Sequence, residues 1–239
     1  MARALRWTPG VAVPVVIAIL ACANVIDIKV PHASLGVGPA VAAGLIALAR
    51  RAGLDWQDLG LGAGTWRRGA TWAAVEMAVV AAVFAAGAAL PPTRNAFRDT
   101  RYQLAWPEAL LTAFVLIPVG TVLLEEVAFR GVLWGLLRSV RGTAVATIGS
   151  SVLFGLWHVL PALGLATQNA AVGDAVGRGQ SSQVITVVGS VLFTGLAGVV
   201  FCELRRRSGS LLAPAGLHWA TNAFGVLAAS AIWAWGTAK

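Results

Sequence analysis

Charge is what this sequence has least of. Only 12% of its 239 residues are charged and 58% are hydrophobic, where a soluble domain carries about 25% charged residues. Mean hydropathy is +0.77. That shortage excludes an ordinary water-exposed globular surface. Acidic residues are the scarcer sign, 10 against 18 Lys and Arg, for a net charge of +8. The basic excess does not make a nucleic-acid binder, because the basic residues sit in short clusters between apolar runs and form no continuous stripe. Such clusters are what membrane topology signals look like. Cysteine is nearly absent too. Cys22 and Cys202 both lie inside apolar runs, which supports neither a disulfide framework nor a thiolate zinc cluster.

What fills the chain is a series of apolar runs. A helix needs roughly 20 apolar residues to cross the hydrocarbon core, and candidate spans fall at about 11–28, 34–49, 70–90, 106–137, 143–163, 183–203 and 210–235. The expected fold is therefore all-α, a polytopic transmembrane helical bundle of seven to eight spans, built as a single integral membrane domain over 1–239. The eighth would arise if 106–137, about 48 Å long at 1.5 Å per residue, broke at Pro118 and Gly120. The N-terminus has a basic start and an apolar run long enough to span, with no convincing small-x-small cleavage site after it, and reads as a retained first helix. Residues 50–69, polar and Gly-rich with scattered tryptophan, read as an interfacial segment, and 161–182 as a longer loop. Most of the ten tryptophans read as interfacial anchors.

With seven spans, the segments on the N-terminal side hold eleven Lys and Arg and the opposite set holds six. That asymmetry predicts a multi-pass protein of the cell membrane with a cytoplasmic N-terminus.

One stretch breaks the avoidance of charge: "LLEEVAFRGVLWGLL", residues 123–137. A charged residue at the centre of an inserted helix costs about 2.5–3.5 kcal/mol on the insertion scale, so Glu125, Glu126 and Arg130 need a reason to be there. Glu126 and Arg130 stand at i and i+4 and can form an ion pair. Glu125 is turned about 100° away, which frees one carboxylate for chemistry while the other serves as an anchor. Two of the three histidines also lie inside apolar spans. Phe154 and His158 in "FGLWH", and His218 and Asn222 in "HWATN", are each spaced i, i+4. Counted from the basic ends of their helices, Glu125, His158 and His218 lie roughly 17–26 Å deep, at similar levels. A glutamate, two imidazoles and an amide at one depth outline a hydrolytic site. The carboxylate can activate water, and the others can hold water, metal or a developing oxyanion.

In this order, E-E-x-x-x-R, F-x-x-x-H and H-x-x-x-N resemble the CAAX-protease and bacteriocin-processing family of intramembrane endopeptidases. The resemblance extends over about 50–230, including "LDWQDLGLG…WRRG" and "RRRSGSLLAPAGLHWATNAFG". It implies an intramembrane endopeptidase in which Glu125 activates water, Glu126 and Arg130 support it, and His158, His218 and Asn222 line the site, with Phe154 packing beside them. It leaves two chemistries open, since the family is described both as zinc metalloproteases and as metal-independent glutamate enzymes. Glu125, His158 and His218 could make a zinc set, although an H-E-x-x-H arrangement is missing. The implied partners are a peptide or membrane-protein substrate and the lipid bilayer, with no nucleic acid.

Two other classes compete. A non-catalytic scaffold, such as an immunity or partner-binding protein, would keep the motifs without turnover. An ion-coupled transporter would use buried Glu and His as a relay, but the internal repeats of many transporters are missing here. Blander readings hold for single residues. Glu126–Arg130 can simply bind helices together, and Asn222 can be an interhelical hydrogen-bonding group. Glu76 reads as polar packing near a helix end, a group facing the cavity or a contact of Arg130, His32 as loop, and Glu203 as an interfacial partner of Arg205–Arg207. Trp157 and Trp219 stand where they could wall the pocket.

Overall fold

A computed structural model describes residues 8–30 and 34–237; His32 lies outside them. Among the described residues there is no strand, only an isolated antiparallel bridge between Asp99 and Asn169. Among the described residues seven long helices make the bundle: α1 (Pro9–Lys29), α2 (Ser34–Arg51), α3 (Trp66–Ala89), α4 (106–141), α5 (143–157), α6 (Gln180–Ser208) and α7 (Leu212–Thr237). They coincide closely with the apolar runs, because each run ends where arginine, glycine or proline ends the periodic pattern. By length and apolarity, four stretches qualify to cross a membrane among the described residues: Pro9–Asp27, Ala63–Ala89, Trp106–Trp157 and Gln180–Ser208.

The third of these, Trp106–Trp157, is a hairpin and not one rod. At Gly142 the backbone takes φ 79° and ψ 176°, a left-handed conformation that glycine adopts without steric penalty. Contacts across the turn confirm the reversal. Ser150 Oγ donates to the Phe129 carbonyl at 2.7 Å, yet 21 residues of straight helix would separate them by about 31 Å.

The chain does not break at Pro118 and Gly120, so no eighth helix arises there. The chain stays helical there, with turns widened to the π pattern over Thr112–Val122 and again over Glu126–Leu133. Proline lacks the N–H that an α turn would use, and the widened turn absorbs the defect. The Leu123 N–H reaches back five residues to the Pro118 carbonyl. Such π turns concentrate at functional sites, and this one leads directly into the two glutamates.

Helix pairing follows small residues. α3 lies along α7, where a Cβ on Gly216 would run into Ala73, and α5 lies along α6, where a Cβ on Gly155 would meet the Val191 carbonyl at 2.6 Å. Close backbone approach of this kind is how helices associate where the hydrophobic effect cannot drive them together. The central core combines Leu45, Leu59, Phe129, Val132, Leu133, Leu136 and Phe154 from several helices.

The two ends of the bundle differ. At one, the 52–65 segment bridges the other turns: Arg138 pairs with Asp58 at 2.7 Å, Arg205 donates to the carbonyls of Gln57 and Asp58 at 2.9 and 3.0 Å, and the Leu211 N–H donates to Gly60. Glu203 pairs with Arg206 and Arg207, as expected, but Arg205 turns inward instead. At the other end the 161–182 segment holds two short helices, Leu165–Gln168 and Ala170–Val176, so it is more ordered than the sequence suggests.

A clamp ties that second end together. Buried Asp99 accepts from Arg101 Nε at 2.9 Å and Nη2 at 2.6 Å, and from Asn169 Nδ2 at 3.3 Å. Trp233 Nε1 donates to the Asp99 carbonyl at 3.0 Å. Burial alone would raise the Asp99 carboxyl, but the hydrogen bonds and charge of Arg101 outweigh it and hold the group below its ordinary range. A carboxylate whose folded pKa is depressed contributes stability above its unfolded value of about 3.9 and loses it as pH falls through the folded value. Amide exchange at 91–105 and 165–176 should therefore rise on acidification below about pH 4, or in Asp99→Asn at neutral pH. Unchanged exchange in Asp99→Asn would remove the clamp from the account.

Candidate active site

The chemistry-bearing residues come from three helices. Glu125, Glu126 and Arg130 lie on α4, Phe154 and Trp157 near the end of α5 with His158 capping it, and His218 and Asn222 on α7. The hairpin at Gly142 folds α5 back so that Trp157 Nε1 donates to Glu125 Oε1 at 2.9 Å.

Glu125 is 5% exposed and Glu126 2%, while Arg130 is fully buried. The i, i+4 pair forms as expected, with Arg130 Nη1 donating to Glu126 Oε1 at 3.2 Å. The guanidinium also lies 3.8 Å from the centre of the Phe154 ring and 4.7 Å from that of Phe201. These cation–π contacts supply attraction that water cannot give at this depth.

Glu126 does more than anchor Arg130. Its Oε1 also accepts from His218 Nδ1 at 2.8 Å. Because that oxygen belongs to a carboxylate already paired with arginine, Nδ1 carries the proton, and the other ring nitrogen faces the site. His218 Nε2 stands 3.8 Å from Glu125 Oε2. The ring is clamped by Phe201, stacked at 5.3 Å and 23°. His158 is oriented the same way, with Nδ1 donating to the Phe154 carbonyl at 2.8 Å. The Phe154 ring separates the two histidines, 4.7 Å from His158 and 6.0 Å from His218 between centroids.

Glu125 Oε2 is buried and has no hydrogen-bond partner. Glu125 lines a cavity of about 20 Å3 together with Trp157, Thr121, Gly120, Ser34 and Asp27. That is room for one water. A buried carboxylate with one oxygen fixed by an indole and the other unpartnered, beside a water-sized space, has what a general base needs.

Both histidines donate Nδ1–H to an oxygen, as zinc-bound histidines do. Even so, among the described residues no three His, Cys, Asp or Glu side chains gather closely enough to hold a metal ion. Asn222, one turn beyond His218, is half-buried, and no hydrogen bond joins it to the Glu126–His218 pair. Glu76 is half-buried on α3, its oxygens without hydrogen-bond partners, and it does not reach Arg130, whose ion pair is with Glu126. Trp219 donates to the Ala113 carbonyl at 2.8 Å, bracing α7 against α4.

Sequence reasoning did not identify the Phe201 stack, the Glu126–His218 bond or the role of Trp157 as a donor. Trp157→Phe keeps the ring beside Phe129, 5.8 Å away, and removes only the N–H. A hydrogen bond to a charged group is worth about 1.5–3 kcal/mol, so kcat should fall about ten- to a hundredfold with folding intact. A wild-type kcat in this variant would mean that Glu125 needs no indole.

The fold and this cluster define a helical membrane bundle with a buried carboxylate–imidazole centre. Residues 106–224, which hold all three motifs, match the family model described as type II CAAX prenyl endopeptidase Rce1-like. That region is thus one of the CAAX-protease and bacteriocin-processing family, as the motifs indicated, and its family is one of membrane proteases. No curated protein and no solved structure matches the chain.

Proposed function

We propose that this protein is an intramembrane endopeptidase that hydrolyses a peptide bond with a water activated by Glu125. The observation that carries the reading is the buried, unpartnered Oε2 of Glu125, a residue that lines a cavity the size of one water, with Oε1 held by Trp157. In the reaction Glu125 takes one proton from water, the oxygen attacks the carbonyl carbon, and the same proton passes to the departing amine as the C–N bond breaks. His218, fixed by Glu126 through Nδ1–H, turns its lone-pair Nε2 toward the site to accept from the substrate's amide N–H, His158 lines the site, and the Asn222 amide donates to the developing oxyanion. Arg130 neutralises Glu126 so that the anchoring carboxylate does not compete for the water.

An apolar cleft of about 190 Å3 lined by Leu20, Phe129, Leu153, Leu156 and Trp157 adjoins this centre through the shared Trp157. It would receive an apolar part of the substrate, a peptide or the terminus of a membrane protein. The seven helices would each cross the bilayer, with the arginine-rich end that joins 52–65, 138–141 and 205–207 on the cytoplasmic side.

The test is cleavage of a panel of quenched peptides, prenylated CAAX and leader-type sequences among them, by the purified protein with and without a zinc chelator. Cleavage that survives chelation assigns the water to Glu125 alone, and cleavage abolished by it and restored by zinc assigns a shared role. A folded protein that cleaves no member of the panel would count against the endopeptidase reading.

A further inference from the structure

The region that matches the protease family begins at Trp106, yet one wall of the Glu125 cavity is built by α1 and α2. Ala23, Asp27, Ser34, Val37 and Gly38 face Gly120, Thr121, Leu124, Glu125 and Trp157 around it. Asp27 is exposed and Glu125 is buried, so the cavity runs from a carboxylate at the rim to one at its inner end. The two are near enough for Glu125 to be a charge that Asp27 feels, with Ser34 beside Asp27.

Two contacts hold this wall in place. One turn before Asp27 on α1, Asn24 Nδ2 donates to the Trp157 carbonyl at 2.9 Å, on the residue whose indole fixes Glu125. At the start of α2 the helices nearly touch: a Cβ on Gly120 would meet Ser34 Oγ at 2.9 Å, and one on Gly38 would meet the Gly120 carbonyl at 3.2 Å. Backbones this close leave the wall little room to recede. Glu125 keeps one oxygen buried and unpartnered, and the water-sized cavity is lined by both carboxylates, so a polar molecule held there meets the two of them.

We propose that Asp27 is a second carboxylate of the hydrolytic site, which accepts a hydrogen bond from the water that Glu125 deprotonates and so holds it for attack. This rests on Glu125 acting as the base. Water has two hydrogens. One goes to Glu125 and later to the leaving amine, and the other remains on the attacking oxygen, bonded to Asp27 while the bond to carbon forms. Asp27 gains no proton in the step and need only accept. It is a positioning residue that holds the nucleophile, and binding of the peptide does not involve it.

An amide at this position still offers an accepting oxygen, whereas an alkyl chain offers none. Asp27→Asn, Asp27→Leu and Glu125→Gln are therefore compared with wild type on the quenched peptide it cleaves best, measuring kcat, KM and thermal stability of the purified proteins. Asp27→Leu is expected to lose about a hundredfold in kcat and Asp27→Asn about tenfold or less, both with KM within about twofold and melting unchanged; these are sizes typical of misplacing a reacting group. A merely structural role would lower stability and treat the two substitutions alike. Asp27→Leu with wild-type kcat beside an inactive Glu125→Gln overturns the role of Asp27 and leaves the base in place. An active Glu125→Gln overturns the base itself. If Asp27→Leu fails to fold, Asp27→Asn decides: a raised KM with unchanged kcat contradicts the proposal.

Discussion

Replacing Arg130 with methionine is expected to destabilise the folded protein by about 3–5 kcal/mol, because it strands the buried Glu126 carboxylate without its partner. Arg130 is fully buried and Glu126 nearly so, and no solvent is at hand to take up the charge. The loss should appear as an earlier unfolding midpoint in a denaturant titration of the solubilised protein. The double variant Glu126→Gln with Arg130→Met should recover most of that stability, since replacing a whole buried pair by neutral groups is often tolerated. It should not recover activity. His218 Nδ1 would lose the carboxylate that fixes its ring, and Phe201 and Phe154 would lose the cation between them. Stability regained without turnover would show that the pair serves the site as well as the fold. A double variant as active as wild type would reduce Glu126 to packing.

Glu125→Gln is expected to lower kcat by about a hundred- to ten-thousandfold, the range that general-base catalysis contributes, while the protein inserts and folds normally. The amide is isosteric and its oxygen can still accept the Trp157 N–H, so the hydrogen bond at 2.9 Å has no reason to break. What the amide lacks is the ability to take a proton. The contrast with Arg130→Met separates the adjacent glutamates. Removing support from Glu126 should cost stability first, whereas neutralising Glu125 should cost only chemistry. Comparable folded yields of wild type and Glu125→Gln, with cleavage measured on equal amounts, check this directly.

Much of this was legible in the sequence, for identifiable reasons. Helix positions follow from run length and from where arginine, glycine and proline interrupt the runs, and the turn at Gly142 sits in "VRGT" between two such runs. The Glu126–Arg130 pair follows from helical spacing alone, as does the divergence of Glu125 from it. Contacts between helices are another matter. That His218 bonds Glu126 at 2.8 Å and stands farther, at 3.8 Å, from Glu125 depends on the rotation of α7 about its own axis, which spacing within α7 cannot fix. The indole bond of Trp157 likewise depends on the angle of the hairpin. Pro118 suggested a break because proline costs an α-helical hydrogen bond, but widening the turn to the π pattern keeps the helix continuous. Asn24 and Asp27, two polar residues in the first apolar span, drew no reading from the sequence. Their meaning came only when α1 was seen against Glu125 and Trp157.

The central claim is that water activated by Glu125 cuts a peptide bond. The measurement that tests it most directly is mass analysis of products formed in 18O-labelled water, with wild type and Glu125→Ala at equal folded concentration on one quenched peptide. The account predicts that wild type gives one new C-terminus bearing a single 18O and that the variant gives no product at that bond. The same labelled product from Glu125→Ala at a comparable rate would contradict it.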